Sequence, residues 1–257
     1  MNVIGIIPAR MQSSRLPGKV MKKIFNIPMI GHVYYRSKLS KLMSDVYVTT
    51  CDVKIKDYIQ SINGKVIMTS KNHQRAVDRT EEALKKIEKI TKKKINLIVM
   101  IQGDEPLLEP QMINQVVDTF KRNKSVQISN LYTVLNNLKE ILDPNRVKVV
   151  VDNNDNAIYF SREKISTIKK RAKKIYYKQG NVFCFRKNAL HNFVKLKSSN
   201  LEKVESVDMN RLIERRYKIK MVRTNFHTIN VDNPNDLQRA KKAMKKDKYF
   251  KLYNNKI

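Results

Sequence analysis

The chain has 257 residues, 41% of them apolar, which suits one α/β domain with a real core and excludes disorder by composition. Lys and Arg number 53 against 23 Asp and Glu, a net charge of +30 that raises an anionic partner, yet the cations are spread along the whole chain, as at Lys85-Lys86, Lys92-Lys93-Lys94, Lys169-Lys170-Arg171 and Lys173-Lys174. No run approaches the roughly 18 to 20 apolar residues of a spanning helix, and Cys51 and Cys184 have neither metal-ligand spacing nor the makings of a disulfide framework.

Val3–Pro8 is an apolar run ending in proline, the pattern of a buried parallel strand. With no basic start before it, it reads as a first strand rather than a signal peptide, and the expected compartment is the cytoplasm. A polar, basic loop follows over residues 9–19. A helix from Pro28 would bury Ile30, Val33 and Tyr34. Residues 46–50 predict strand two, 53–62 a helix and 65–68 a short strand. A longer helix over 76–90 carries the stripe Ala76, Thr80, Ala83, Leu84, Ile87. Residues 96–101 predict another strand, and Met112, Ile113, Val116, Val117 and Phe120 line one face of the next helix. Repeated βα units imply a parallel sheet with helices on both faces.

The pattern then changes. Residues 147–151 and 157–160 flank Asp152-Asn153-Asn154-Asp155-Asn156, a hairpin signal. Further strands are expected at 181–185, 219–223 and 228–231, and helices at 187–194, 207–214 and 235–245, the last with Leu237, Ala240 and Met244 inward. Residues 246–257 read as a frayed basic tail. No internal repeat or flexible linker is visible.

Three segments carry chemistry. The loop Ala9-Arg10-Met11-Gln12-Ser13-Ser14-Arg15-Leu16-Pro17-Gly18-Lys19 lies where open α/β sheets bind ligands, beyond the carboxyl end of a strand. Arg10, Arg15 and Lys19 can neutralise a triphosphate, and Ser13, Ser14 and Gly18 can donate to its oxygens. The loop is neither a Walker A sequence nor a dinucleotide fingerprint. Gln102-Gly103-Asp104-Glu105-Pro106 also follows a strand. There Asp104 is placed to hold Mg²⁺, and Gln102 can read a polar ligand edge. Asn230-Val231-Asp232-Asn233-Pro234-Asn235-Asp236 repeats the arrangement, with Asp232 a second metal-ligand candidate and Asp236 a helix cap or first-turn acid. Two carboxylates at strand ends beside a basic loop make a phosphoryl-transfer site, and a substrate hydroxyl can serve as nucleophile. A nucleic-acid surface would instead cluster its cations with aromatics, and none is expected. His32 and His191 read as ordinary helix residues. Tyr176, Tyr177, Phe183 and Phe185 read as core or subunit contact.

Ile6-Ile7-Pro8-Ala9-Arg10, the run from Ser13 through Lys19, Gln102 through Pro106, Asn145-Arg146-Val147-Lys148-Val149-Val150, Tyr159-Phe160-Ser161-Arg162 and Val231-Asp232-Asn233-Pro234 together resemble the 3-deoxy-manno-octulosonate (Kdo) cytidylyltransferases. The similarity runs from about residue 2 to 245, with the motifs in the family's order. It implies a Rossmann-like nucleotidyltransferase fold in a single domain, 1–257, whose residues of about 130–220 form an inserted sugar-binding and dimerisation part. It implies a cytoplasmic homodimer that joins CMP from CTP to Kdo or a related acid, with Mg²⁺. Ala9, Arg10, Ser13, Ser14, Arg15, Lys19, His73, Arg79 and Gln102 would then bind the nucleotide. Gln102, Arg162, Gln179 and Asp208 would bind the sugar, Asp104 and Asp232 the metal, and Arg10, Lys19, Asp104 and Asp232 would be catalytic.

The chain departs from the family at three places. The usual His-x-Ser-Gly-Thr-Asp/Glu-Arg is His73-Gln74-Arg75-Ala76-Val77-Asp78-Arg79. Gln179 stands where His is usual, and Asp208-Met209 replaces Glu-Gln. The last two changes alter how the sugar is held, leaving open a nonulosonic or other sugar acid and an inactive homologue.

Overall fold

The computed structural model describes residues 1–165 and 176–254. The basic runs at 169–171 and 173–174 lie outside the described residues. Two compact units are present: residues 1–114 with 228–257, and residues 115–227.

The first unit is built on four parallel strands in the order β6-β1-β4-β5, which are β1 (Val3–Pro8), β4 (Asp45–Thr50), β5 (Lys65–Met68) and β6 (Leu97–Ile101). Between β1 and β4 lie a two-stranded ribbon, β2 (Lys23–Ile24) with β3 (Ile27–Pro28), and helix α1 (Met29–Lys38). Helices α2 (Val53–Ser61) and α3 (Ala76–Thr91) make the next two crossovers. Every residue of β1 and of β6 is buried. Strands covered on both faces read as continuous Val/Ile/Leu runs, and these do. The α3 stripe Ala83, Leu84 and Ile87 is buried as its helical spacing requires. Helix α4 (Pro110–Arg122) begins in this unit and ends in the next, and its five apolar stripe residues are all buried.

The second unit has strands in the order β11-β7-β10-β8-β9: β7 (Ile128–Leu135), β8 (Lys148–Val151), β9 (Ala157–Ser161), β10 (Tyr176–Arg186) and β11 (Lys220–Arg223). The β11–β7 pair is parallel and the other three pairs are antiparallel. Short helices α5 (Leu138–Leu142), α6 (Lys187–Lys195), α7 (Asn200–Glu205) and α8 (Met209–Glu214) complete it. The chain then returns to the first unit, where α9 (Pro234–Met244) is followed by a 3₁₀ turn at Phe250–Leu252. The architecture is α/β, as the alternating strand and helix patterns predict. Residues 130–220 fall inside the second unit. Among the described residues no helix is long and apolar enough to cross a membrane.

Three expectations need correction. Residues 228–231 form no strand. Val231 N–H donates to Asp104 O, a single bond rather than a ladder. The tail is not frayed through residue 254. Asp247 pairs with the buried guanidinium of Arg36, and Tyr253 is buried with its hydroxyl bonded to His32 and Arg36. The strand expected at 181–185 begins at least five residues earlier, at Tyr176, where it pairs with Leu135.

Candidate active site

The loop after β1 owes its shape to local bonds. Ala9 N–H still donates to Thr49 O at 2.9 Å, and Met11 N–H donates to Asp52 Oδ2 at 2.9 Å. Gly18 N–H closes the loop onto Met11 O at 3.0 Å, with Gly18 left-handed at φ 65°. A side chain is strained at that φ. One 3₁₀ turn, Lys19–Met21, follows. Leu16 anchors the loop in a cluster with Ile24, Met29, Leu107, Val231, Ala240 and Met244. Opposite, a Cβ on Gly103 would come within 3.4 Å of Pro8 O and 3.2 Å of Ile30 Cδ1, so glycine lets the chain leaving β6 pass close to β1.

A cleft of about 310 Å³ opens there, within the size range of small-ligand sites. Ala9, Arg10, Ser13, Ser14, Arg15, Lys19, His73, Arg79, Gln102 and Asp104 all line it. So do Gln12, Gln74, Arg75 and Ala76. Arg75 stands at the N-cap of α3, so the first turn of that helix faces the cleft with its positive end. Arg79, one turn further, is buried and donates from Nη1 to Thr69 Oγ1 at 2.6 Å. His73 Nε2 pairs with Glu82. Desolvation raises the Glu82 pKa, but Lys86, the Ser70 N–H and His73 outweigh it and bring the carboxyl to about 2.

Asp104 and Asp232 meet through Lys19. Its Nζ lies 2.6 Å from Asp104 Oδ2 and 3.1 Å from Asp232 Oδ1, and Arg15 Nη2 lies 2.8 Å from the same Asp232 oxygen. Burial lowers the Lys19 pKa, yet Asp104 and Asp232 outweigh it and hold the pKa above its ordinary value. Asp232 N–H donates to Asp236 Oδ2 at 3.2 Å, and Asn230 Nδ2 donates to Asp232 Oδ2 at 2.6 Å. Asn233 caps α9 by accepting from Asp236 N–H at 3.0 Å, so Asp236 is the first-turn acid. Asp104 Oδ1 is buried with no hydrogen-bond partner among the described residues. The donor set is two hard carboxylates with one uncommitted oxygen. That fits Mg²⁺, which takes one or two carboxylates and draws its other ligands from phosphate and water.

The remaining expected residues lie in the second unit. Each nitrogen of the Arg162 guanidinium donates to a backbone carbonyl: Nε to Glu205 O at 2.8 Å, Nη1 to Pro144 O at 3.0 Å, Nη2 to Ser206 O at 3.3 Å. Glu205 in turn accepts from Tyr159 O–H at 2.5 Å, Ser161 O–H at 3.0 Å and Arg162 N–H at 2.8 Å. The Tyr-Phe-Ser-Arg motif thus grips the C-terminus of α7. Lys148 is buried, its pKa lowered by desolvation, and it donates to Asp143 O at 3.0 Å and to Arg162 O. Gln179 sits on β10 opposite Tyr132, its Nε2 buried without a partner among the described residues. Asp208 stands at the start of α8. Sequence reasoning did not single out Asp52, which orients the first turn of the cleft loop. Its position at the end of β4 was the available signal.

The cytidylyltransferase family model matches residues 4–221. A 3-deoxy-manno-octulosonate cytidylyltransferase of Fusobacterium nucleatum is 40% identical over 240 residues, covering 93% of this chain and 96% of that protein. An 8-amino-3,8-dideoxy-manno-octulosonate cytidylyltransferase of Shewanella pealeana is 38% identical over 239 residues, with coverage of 93% and 96%. Among solved structures, that of CMP:2-keto-3-deoxy-manno-octonic acid synthetase complexed with CTP superimposes with a TM-score of 0.86 at 30% identity, covering 95% of this chain and 99% of that one.

Proposed function

We propose, from the premise that this chain belongs to the cytidylyltransferase family and there to the 3-deoxy-manno-octulosonate cytidylyltransferases, that it activates Kdo or its 8-amino relative as the CMP-sugar. The observation that carries this reading is the convergence of Asp104 and Asp232 on Lys19, with Lys19 and Asp104 lining a cation-rich cleft. The anomeric hydroxyl oxygen of the sugar acid bonds to the α-phosphorus of CTP, the bond from that phosphorus to the bridging oxygen breaks, and pyrophosphate leaves with its electrons. The hydroxyl proton passes to solvent.

The chain's own residues bind and orient. Arg10, Arg15 and Lys19 neutralise the triphosphate, most strongly as charge builds on the leaving pyrophosphate. Ser13 and Ser14 donate to its oxygens. Gln74, Arg75 and Arg79 at the start of α3 take the far end of the nucleotide. Gln102, at the end of β6, faces the cleft where the two substrates meet. Asp104 and Asp232 would hold Mg²⁺, which supplies Lewis-acid polarisation of phosphoryl oxygens. Arg162, through the carbonyls it grips, positions the 205–206 turn just ahead of Asp208. Gln179 and Asp208 are assigned to the sugar side. The active form is assigned as a homodimer in the cytoplasm, where CTP is made.

Relatives of the Kdo and the 8-amino-Kdo kind match almost equally well, at 40% and 38% identity, so identity does not choose between the two acids. The experiment is pyrophosphate release by the purified protein with Mg²⁺ and CTP against Kdo, 8-amino-Kdo and nonulosonic acids, with other nucleoside triphosphates as controls. Release with CTP and one octulosonic acid fixes the reaction. Release only with a nonulosonic acid, or no release and no CTP binding, overturns it.

A further inference from the structure

The ammonium of Lys19 stands where a divalent cation would have to stand. Its Nζ is 2.6 Å from Asp104 Oδ2 and 3.1 Å from Asp232 Oδ1, and all three side chains are largely shielded from water. Two carboxylates this close repel unless a positive charge lies between them. An Mg²⁺ at about 2.1 Å from those oxygens would overlap the ammonium and face a like charge. One pair of oxygens therefore serves one cation at a time. Arg15 also touches Asp232, but it is 49% exposed and its pull is screened.

We infer that Lys19 competes with the divalent cation for the Asp104–Asp232 pair, so that nucleotide and cation bind cooperatively through the position of one side chain. The inference rests on the metal assignment in the proposed function. The backbone of Lys19 is pinned by the 3₁₀ turn and by its N–H to Leu16 O at 3.0 Å, while the rotatable bonds of its four-carbon stem give Nζ a second position to swing to. Lys19 also lines the cleft beside Arg10, Ser13 and Ser14. Phosphates in that cleft draw Nζ off the carboxylates. The cation then finds both of them open, together with the uncommitted Asp104 Oδ1. Each ligand favours the Lys19 position that the other requires, so the coupling is reciprocal. The ammonium holds the pair before nucleotide arrives, and the metal takes it over together with the nucleotide it must serve.

Mn²⁺ is the probe, followed by electron paramagnetic resonance on the full chain without nucleotide. Lys19→Met should bind Mn²⁺ roughly tenfold or more tightly than the unaltered protein, a step within the usual range of coupling between sites. Equal or weaker binding by the variant overturns the inference and leaves the metal assignment standing. No protein-bound Mn²⁺ in either protein, even with CTP present, removes the metal assignment and the inference together. Should Lys19→Met fail to fold, the unaltered protein supplies the second readout. Amine labelling of Lys19, quantified by mass spectrometry, should rise with Mn²⁺ alone and fall again when CTP is added. Labelling that ignores saturating Mn²⁺ overturns the inference.

Discussion

The backbone N–H of Val231 donates to the carbonyl of Asp104 at 3.0 Å. That bond sets the returning chain beside the end of β6, so the next residue, Asp232, presents its carboxylate to the same ammonium as Asp104. Replacing either carboxylate tests the pairing. Asp104→Asn should lower turnover on the order of 10²- to 10³-fold, the scale of losing one preorganised electrostatic group, with an unchanged far-ultraviolet circular dichroism spectrum. Near-full activity with ordinary Mg²⁺ dependence would remove Asp104 from the site.

Arg75 stands at the helix end of the cleft in place of a small residue. Arg75→Ala should raise the KM for CTP about tenfold, the worth of one charged hydrogen bond, and leave kcat largely intact. A KM equal to that of the unaltered protein would return Arg75 to the surface.

Gly18 closes the cleft loop at φ 65°, with Met11 Cε 3.2 Å from where a Cβ would sit. Gly18→Ala should cost about 1 kcal/mol of stability in chemical denaturation and weaken CTP binding as the loop opens. A variant with unaltered stability and affinity would show that the loop tolerates a side chain there.

Arg36 is wholly buried and leans on Asp247, Leu108 O and the Tyr253 hydroxyl. Asp247→Ala leaves that charge without its counter-ion and should cost about 3 to 5 kcal/mol, read from urea unfolding. A cost under about 0.5 kcal/mol, the scale of an ordinary surface change, would mean the segment after α9 does not hold the fold.

His32 carries a pH signature. Its Nε2–H donates to Ile24 O at 3.0 Å and its Nδ1 accepts from Tyr253 O–H at 2.9 Å, an arrangement of the neutral ring. Desolvation lowers its pKa to about 4 from 6.5, with Arg36 adding to the fall and the Ile24 and Ile27 bonds and Asp247 opposing it. Between those two values the unfolded chain binds a proton that the folded one refuses. Stability is therefore complete above pH 6.5, falls as the pH drops toward 4, and levels off below. The total is roughly 3 kcal/mol. Unfolding measured from pH 7 to 5 should show this slope in the unaltered protein and a flatter one in His32→Gln. Parallel slopes would refute the assignment. Glu82 loses its stabilising contribution only below about pH 4.5, outside that window.

Much of the molecule was legible in the chain itself. The fully buried strands β1 and β6 announce themselves as unbroken apolar runs, because a parallel strand covered on both faces has no polar positions to interrupt it. The loop from Ala9 to Lys19 and the acids at positions 104 and 232 were visible for a related reason. Ligand groups in an open α/β sheet follow strand ends, and cations beside carboxylates have few other uses there. Strand β7 was not legible. Ser129, Asn130 and Thr133 break its apolar pattern yet are buried, Ser129 donating to Val116 O and Asn130 to Gly180 O and Val182 O.

Periodicity and strand-end positions determined the α/β class and the loop and acids of the site, and the resemblance of the motifs to a known family pointed to a cytidylyltransferase. Tertiary structure alone decided what those residues do to one another. Lys19 and Asp232 are 213 positions apart, and no local pattern says that one ammonium will bridge Asp232 to Asp104. Nor does the run of lysines after α9 reveal that Asp247 and Tyr253 fold back onto a buried arginine. Hydrogen bonds and ion pairs act over a few ångströms in space, so their partners are set by how the chain returns on itself, whereas strand and helix patterns are written in neighbouring residues.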